Sequence, residues 1–241
     1  EDTTTSAYNT LIGSLSAETL ITGTDNVCIG YKTMFDLDAG TTAQGSSSNV
    51  IIGSNAGSGA WVNQDNSNCV IIGATACVGA MEGDTTDGTV AIGRSALNAL
   101  TSGSNNLAIG YSALAALTDG VRNMGIGYGA GDTTYGTPVD NVFIGFNSGG
   151  GTWETATSLQ NVAVGNSTMA SNMNGADWNT ALGHYALNDL NEGNGNTALG
   201  HTAMSGDMTG EEVENCVAVG LGAMGGALEA AVSGSVAIGK S

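Results

Sequence analysis

The chain has 241 residues, among them 39 glycines, one proline, three phenylalanines and three tryptophans, and its 22 acidic and four basic side chains leave a formal charge of −18. So little aromatic bulk excludes a large central core, and a field of that sign repels phosphate backbones and anionic lipid, which excludes nucleic acid as a partner. No apolar run approaches the roughly 18 residues of a membrane-spanning helix, so no membrane insertion by this segment is expected.

From Asn9 onward a five-residue phrase, Asn-Val-x-Ile-Gly with close variants, returns thirteen times, its glycines at 13, 30, 53, 73, 93, 110, 127, 145, 165, 183, 200, 220 and 239. The spacing of 17 to 23 residues is that of solenoid coils, each too small to bury a face alone and stable only when stacked. The expected fold is therefore all-β, a parallel β-solenoid or β-roll of about 13 coils. Residues 1–241 are expected to form a single repeat domain, uncapped at both ends.

Taken along the chain, the phrase predicts a short strand in every copy. Val27 and Ile29, Val50 and Ile52, Val90 and Ile92, Val142 and Ile144, Val162 and Val164, and Val236 and Ile238 sit two apart and share one strand face. These β-branched pairs are expected to fill the coil interior. The opposite face carries Ala91, Ala108, Ala163, Ala181, Ala198, Ala218 and Ala237, with Cys28, Gly125 and Phe143 in other copies. Small apolar residues on a second face require a cover, and close packing of three copies against these alanines is expected to supply it. After each glycine comes a second apolar signal, as in Arg94-Ser95-Ala96-Leu97, Tyr111-Ser112-Ala113-Leu114 and His201-Thr202-Ala203-Met204, expected to be a return strand, with a helical turn as the alternative over Ser95 to Leu100 and Ser112 to Leu117. The connecting segments are turn-rich and variable, where recognition is placed on a regular scaffold.

The phrase opens with Asn9, Asn26, Asn49, Asn106, Asn123, Asn141, Asn161, Asn179 and Asn196, and with Cys69, Thr89, Cys216 and Ser235 in the other four copies. Stacked about 4.8 Å apart, such amides form a ladder that bonds to itself and to the turn backbone, a structural role.

Candidate ligand chemistry is sparse. His184 and His201 follow the motif glycine in neighbouring copies, the slot that also holds Tyr31, Tyr111, Tyr128 and Phe146, so an aromatic stack competes there with a two-histidine metal site. Asp84 and Asp87 lie in the most carboxylate-rich turn, where calcium is possible, although no known calcium-loop spacing is present. Otherwise no cofactor is expected. Trp61, Trp153 and Trp178 stand among polar residues between motifs and are candidates for contact with a glycan. Cys69 and Cys77 flank one motif and could pair, but the four cysteines lack metal or disulfide-framework spacing, and burial as small apolar residues is the expected role. No nucleophile elbow or catalytic constellation is visible, so an enzyme is not expected. The alternative of a polysaccharide-cleaving solenoid rests only on the abundance of acids.

The phrase with its downstream Ala-Leu, most closely Ser235-Val236-Ala237-Ile238-Gly239, resembles the head repeats of YadA-like trimeric autotransporter adhesins and is similar to repeats of bacteriophage tail fibres. The resemblance spans almost the whole chain, although the period here is longer and no heptad stalk is present. It implies a left-handed roll packed side by side as a homotrimer at an extracellular, cell or virion surface, binding a host surface protein or glycan. The function expected is a non-enzymatic fibre or adhesin head. A subunit of an end-to-end filament and a tail-fibre shaft or receptor-binding segment are the alternatives.

Overall fold

In a computed structural model the chain is all-β, a parallel β-solenoid with no helix among the described residues. Those residues are 7–18, 20, 22–35, 45–59, 61–62, 66–79, 81–82, 86–132, 137–151, 158–171, 175–190, 193–206, 213–226 and 232–240. The chain divides into two compact units, Glu1–Arg122 and Asn123–Ser241. In the first, the strands Thr10–Ile12, Val27–Ile29, Val50–Ile52, Val70–Ile72, Val90–Ile92 and Leu107–Ile109 pair in parallel, each with the next. In the second, Met124–Ile126, Val142–Ile144, Val162–Val164, Thr180–Leu182, Thr197–Leu199, Val217–Val219 and Val236–Ile238 do the same. Pairing is in register throughout, Val142 opposite Val162 and Ile144 opposite Val164, so each motif position forms a column. Two-residue strands also pair in parallel within each unit, Trp61–Val62 with Met81–Glu82 and Val213–Glu214 with Val232–Ser233.

Strands between two others within a unit are bonded by backbone on both sides, as Val142–Ile144 shows. Val142 N–H donates to the Asn161 carbonyl of the following coil at 2.8 Å, and Gly145 N–H donates to Ile126 of the preceding one at 2.8 Å. Gly145 then takes φ +137°, and a Cβ built on it would lie 2.3 Å from the Gly165 carbonyl oxygen, so the stacked glycine corner admits no side chain.

The segment after the glycine is a turn, not the expected return strand or helical turn. Ala96 N–H donates back to Gly93 at 3.3 Å, closing a four-residue turn whose third residue, Ser95, has φ +58°; Leu97 follows at φ +49°. Alternating left-handed residues bend the chain too sharply for a strand. Cross-coil bonding nonetheless continues, with Leu97 N–H on the Ala113 carbonyl at 3.0 Å and Leu187 N–H on Ala203 at 2.9 Å.

The strand faces are the reverse of the expectation. The middle residue of the strand points into the coil: Cys28, Ile51, Ile71, Ala91, Ala108, Phe143, Ala163, Ala181 and Ala218 are fully buried within the single chain, as is Ala198, while Ala237 in the last strand is half-buried. The alanines therefore cannot be the surface that meets partner chains. In the turns of these coils Ala96 with Leu97, Ala113 with Leu114 and Ala186 with Leu187 are also fully buried, and across one coil Cys28 Sγ lies 3.8 Å from Met34 Sδ. A thin coil brings strand and turn backbones close together, so a large side chain from one leaves room for only a small one from the other. The Val and Ile columns point outward and remain half-exposed.

Core volumes are matched in most coils, the exception being Gly125 with Gly131. Where the strand supplies alanine the turn supplies Leu97, Leu114, Met169, Leu187 or Met204; where it supplies Phe143 the turn supplies Gly149. A Cβ on Gly149, itself at φ +63°, would come within 2.4 Å of the Phe143 ring.

Candidate functional site

The most extensive surface feature is the outer sheet face. In the first unit it carries Val27, Ile29, Val50, Ile52, Val70, Ile72, Val90, Ile92, Leu107 and Ile109; in the second, Met124, Ile126, Val142, Ile144, Val162 and Val164, then Thr180, Leu182, Thr197 and Leu199, and Val217 and Val219. All are half-buried or exposed in the single chain, with Ile109, Leu182 and Leu199 among the exposed large hydrophobics. The corner beside this face extends it. Tyr31, Tyr111, Tyr128, Phe146 and Leu221, each directly after a motif glycine, are 44 to 54 % exposed.

That corner column stacks. The rings of Tyr128 and Phe146 lie 5.2 Å apart and nearly parallel, and Arg94 covers Tyr111 at 5.8 Å. His184 and His201 continue the arrangement, with centroids 5.2 Å apart, an interplanar angle of 22°, and Nδ1 of the first 3.3 Å from Nε2 of the second. Tyr185 packs edge-on against His184 at 4.1 Å. Among the described residues no group of three histidines, cysteines or carboxylates occurs, and the two imidazoles are stacked.

The asparagine column is the ladder its spacing predicts, and its side chains are committed to the scaffold. Asn161 donates its backbone N–H at 2.9 Å and its Nδ2 at 3.1 Å to Asn141 Oδ1; its own Oδ1 accepts the same two donors of Asn179 at 3.0 and 3.2 Å. Its Nδ2 also donates to the Ala176 carbonyl of the following coil at 2.7 Å. Asn26 and Asn49 repeat this on Asn9, Ser46 and Asn66, while Asn123, Asn141, Asn179 and Asn196 donate to Pro138, Ser158, Gly193 and Val213. Asn106 donates to the Gly103 and Gly120 carbonyls. Cys69 keeps one half of the pattern, its Sγ donating to the Thr86 carbonyl at 3.3 Å while its N–H donates to Asn49 Oδ1 at 2.9 Å. Beside this break in the ladder, Asn66 Nδ2 and Thr89 Oγ1 are buried without a hydrogen-bond partner.

All four cysteines are buried and none is in a disulfide, so Cys69 and Cys77 are not bonded to each other. Burial raises the Cys28 thiol to about 12 and the Cys69 thiol to about 11, and pushes Cys77 up further. Neutral thiols at physiological pH make poor nucleophiles and poor metal ligands.

Of the acidic pair, Asp84 lies outside the described residues, and Asp87 Oδ1 accepts the Ser67 backbone N–H at 2.6 Å, one coil back. Asp177 plays the same part for Leu159 at 2.7 Å. Asp119, held below the ordinary carboxylate range by the Ser102 hydroxyl and then by Thr101, caps the preceding coil. These carboxylates fasten turns.

Of the three tryptophans, Trp153 lies outside the described residues, as does the Trp61 side chain, although the Trp61 backbone pairs with Met81. Trp178 is 57 % exposed, and its Nε1 donates to Gln160 Oε1 at 2.8 Å. With Val139, Asp140, Leu159 and Gln160 it lines a shallow groove open to solvent. The position before the first residue of the motif takes positive φ in coil after coil, at Asp25, Ser48, Asn68, Asn105, Asp140 and Asn215. Asn and Asp tolerate that conformation, so their recurrence beside the motif was the available signal for this edge. Comparison with protein-family models, with curated proteins and with solved structures returns no match for this chain.

Proposed function

We propose that the chain is a non-enzymatic extracellular fibre or adhesin-head segment that assembles as a homotrimer through its outer Val/Ile sheet face and presents its loop edges to a host surface or glycan. The observation that supports this most is that face, carried in both units by half-exposed apolar side chains at matched strand positions. Soluble monomers rarely leave apolar surface of such extent uncovered. In a chain of charge −18 the same surface carries almost no charge, so like-sign repulsion is weakest where copies would meet. A second copy repeats the same strand columns at the same spacing and is the natural complement. The resemblance of Ser235-Val236-Ala237-Ile238-Gly239 to trimeric adhesin head repeats supports three copies over two.

The adhesive part of the reading is tested by presenting the labelled chain to surfaces coated with extracellular-matrix protein or mixed cell-surface glycans. Saturable retention that unlabelled chain competes away is expected. Retention no greater than that of an unrelated acidic protein contradicts it.

A further inference from the structure

The geometry points to a subsite for a neutral pyranose in the groove formed by Trp178, Gln160 and Asp140 over Val139 and Leu159, an inference that rests on the surface- or glycan-binding reading above. Asp140, Gln160 and Trp178 occupy the same position on three successive coils, each left-handed, with φ of 61°, 57° and 58°. In-register coils place equivalent side chains about 4.8 Å apart, so the three emerge as a short row. The parallel bridge between Val139 and Leu159 holds two of those coils together directly beneath the row.

Two features single out this row. A left-handed backbone is unfavourable for a bulky side chain, and most other coils put Ser, Asn, Asp or Gly at this position; Trp178 is the large ring placed there in the second unit. The ring is also held: its Nε1 proton is used by Gln160 Oε1, so the indole is oriented although more than half exposed. An immobilised, exposed indole beside an amide and a carboxylate, over an aliphatic floor, matches the C–H face and hydroxyl rim of a pyranose. Stacking would cover the ring, and Gln160, whose Oε1 takes the indole proton, keeps its Nε2 to donate to a hydroxyl. The charge of −18 disfavours acidic sugars, which sets the class as neutral. The groove is open and shallow, which suits one residue of a longer chain.

The test uses the full chain with tetrasaccharides of glucose, galactose and N-acetylglucosamine. Binding is read by the shift of the Trp178 indole N–H resonance and by titration calorimetry, for wild type, Trp178→Ala and Gln160→Ala. At least one tetrasaccharide is expected to shift the Trp178 signal, and Trp178→Ala to weaken its binding by about tenfold or more, with Gln160→Ala several-fold weaker because the ring is no longer held. Far-ultraviolet dichroism and the cooperative melt are expected to be unchanged, since both side chains are exposed. Binding that survives Trp178→Ala overturns the subsite, and so does a failure of every tetrasaccharide to bind wild type. If the chain still adheres to coated surfaces in either case, the adhesive reading stands without this subsite; if it adheres to none, that reading fails as well.

Discussion

Asn161 shows how a single side chain ties coils together: it donates back to Asn141, accepts from Asn179, and reaches the Ala176 carbonyl. Asn161→Ala leaves several of these buried groups unpaired and is expected to cost roughly 3 kcal/mol in denaturant unfolding. Asn161→Cys is expected to cost less, because Cys69 shows that a thiol in this slot still donates to the turn carbonyl ahead. Equal losses for the two variants would mean that the thiol bond contributes nothing, and a loss for Asn161→Ala under about 1 kcal/mol would mean that the amide bonds contribute little. The cysteines make a second prediction at this scale. Burial raises the thiol pKa values of Cys28, Cys69 and Cys77, so their reactive thiolate is scarce in the folded state at pH 8 and returns on unfolding. A chromogenic disulfide reagent is expected to label almost none of Cys28, Cys69 and Cys77 in the native chain and all of them in denaturant.

The coil, as an element, balances strand volume against turn volume. Phe143 faces Gly149, whereas Ala163 belongs with Met169 and Ala181 with Leu187. Phe143→Ala opens a cavity and Gly149→Met overfills the coil, each expected to destabilise by about 2–4 kcal/mol. The double variant reproduces the Ala163 and Met169 pairing and is expected to recover at least about 1 kcal/mol relative to additivity. Strict additivity would show that the two positions do not share space. Much of this element was legible in the sequence: the Asn column, the glycine corner and the short strand all follow from the phrase. Its inside and outside were not. Valine and isoleucine columns alternate with alanine columns, and a period of two states that the faces differ without stating which is buried. Size is the clue: alanine predominates at the buried middle position, and Ile51, Ile71 and Phe143 occupy it where the turn supplies Gly57, Cys77 or Gly149. The turn after the glycine was also missed, because Ser95, Leu97 and Tyr185 adopt left-handed conformations that their residue types do not advertise. Around the candidate site, Trp178 was visible as an aromatic among polar residues; its Gln160 and Asp140 neighbours come from other coils and needed the register to be found.

For the whole molecule, the reversal of faces moves the proposed interface. With alanines inside, a charge at the strand centre is expected to attack folding, whereas a charge on the Val column is expected to attack the proposed assembly. Ala163→Glu buries an unpaired carboxylate and is expected to abolish the cooperative melt. Val142→Glu combined with Val162→Glu is expected to leave the β-sheet dichroism intact while dissociating the assembly, since both side chains are half-exposed in the single chain. Assembly would also cover the Tyr31 to Leu221 corner, so the tyrosines there are expected to be less accessible to a soluble quencher in wild type than in the doubly charged variant. The most direct measurement is the sedimentation-equilibrium mass of the wild-type chain at micromolar concentration. A species of three times the 23.8 kDa chain mass, reduced to one chain by Val142→Glu with Val162→Glu, is the predicted result. A wild-type chain that sediments as a folded 23.8 kDa monomer would contradict it.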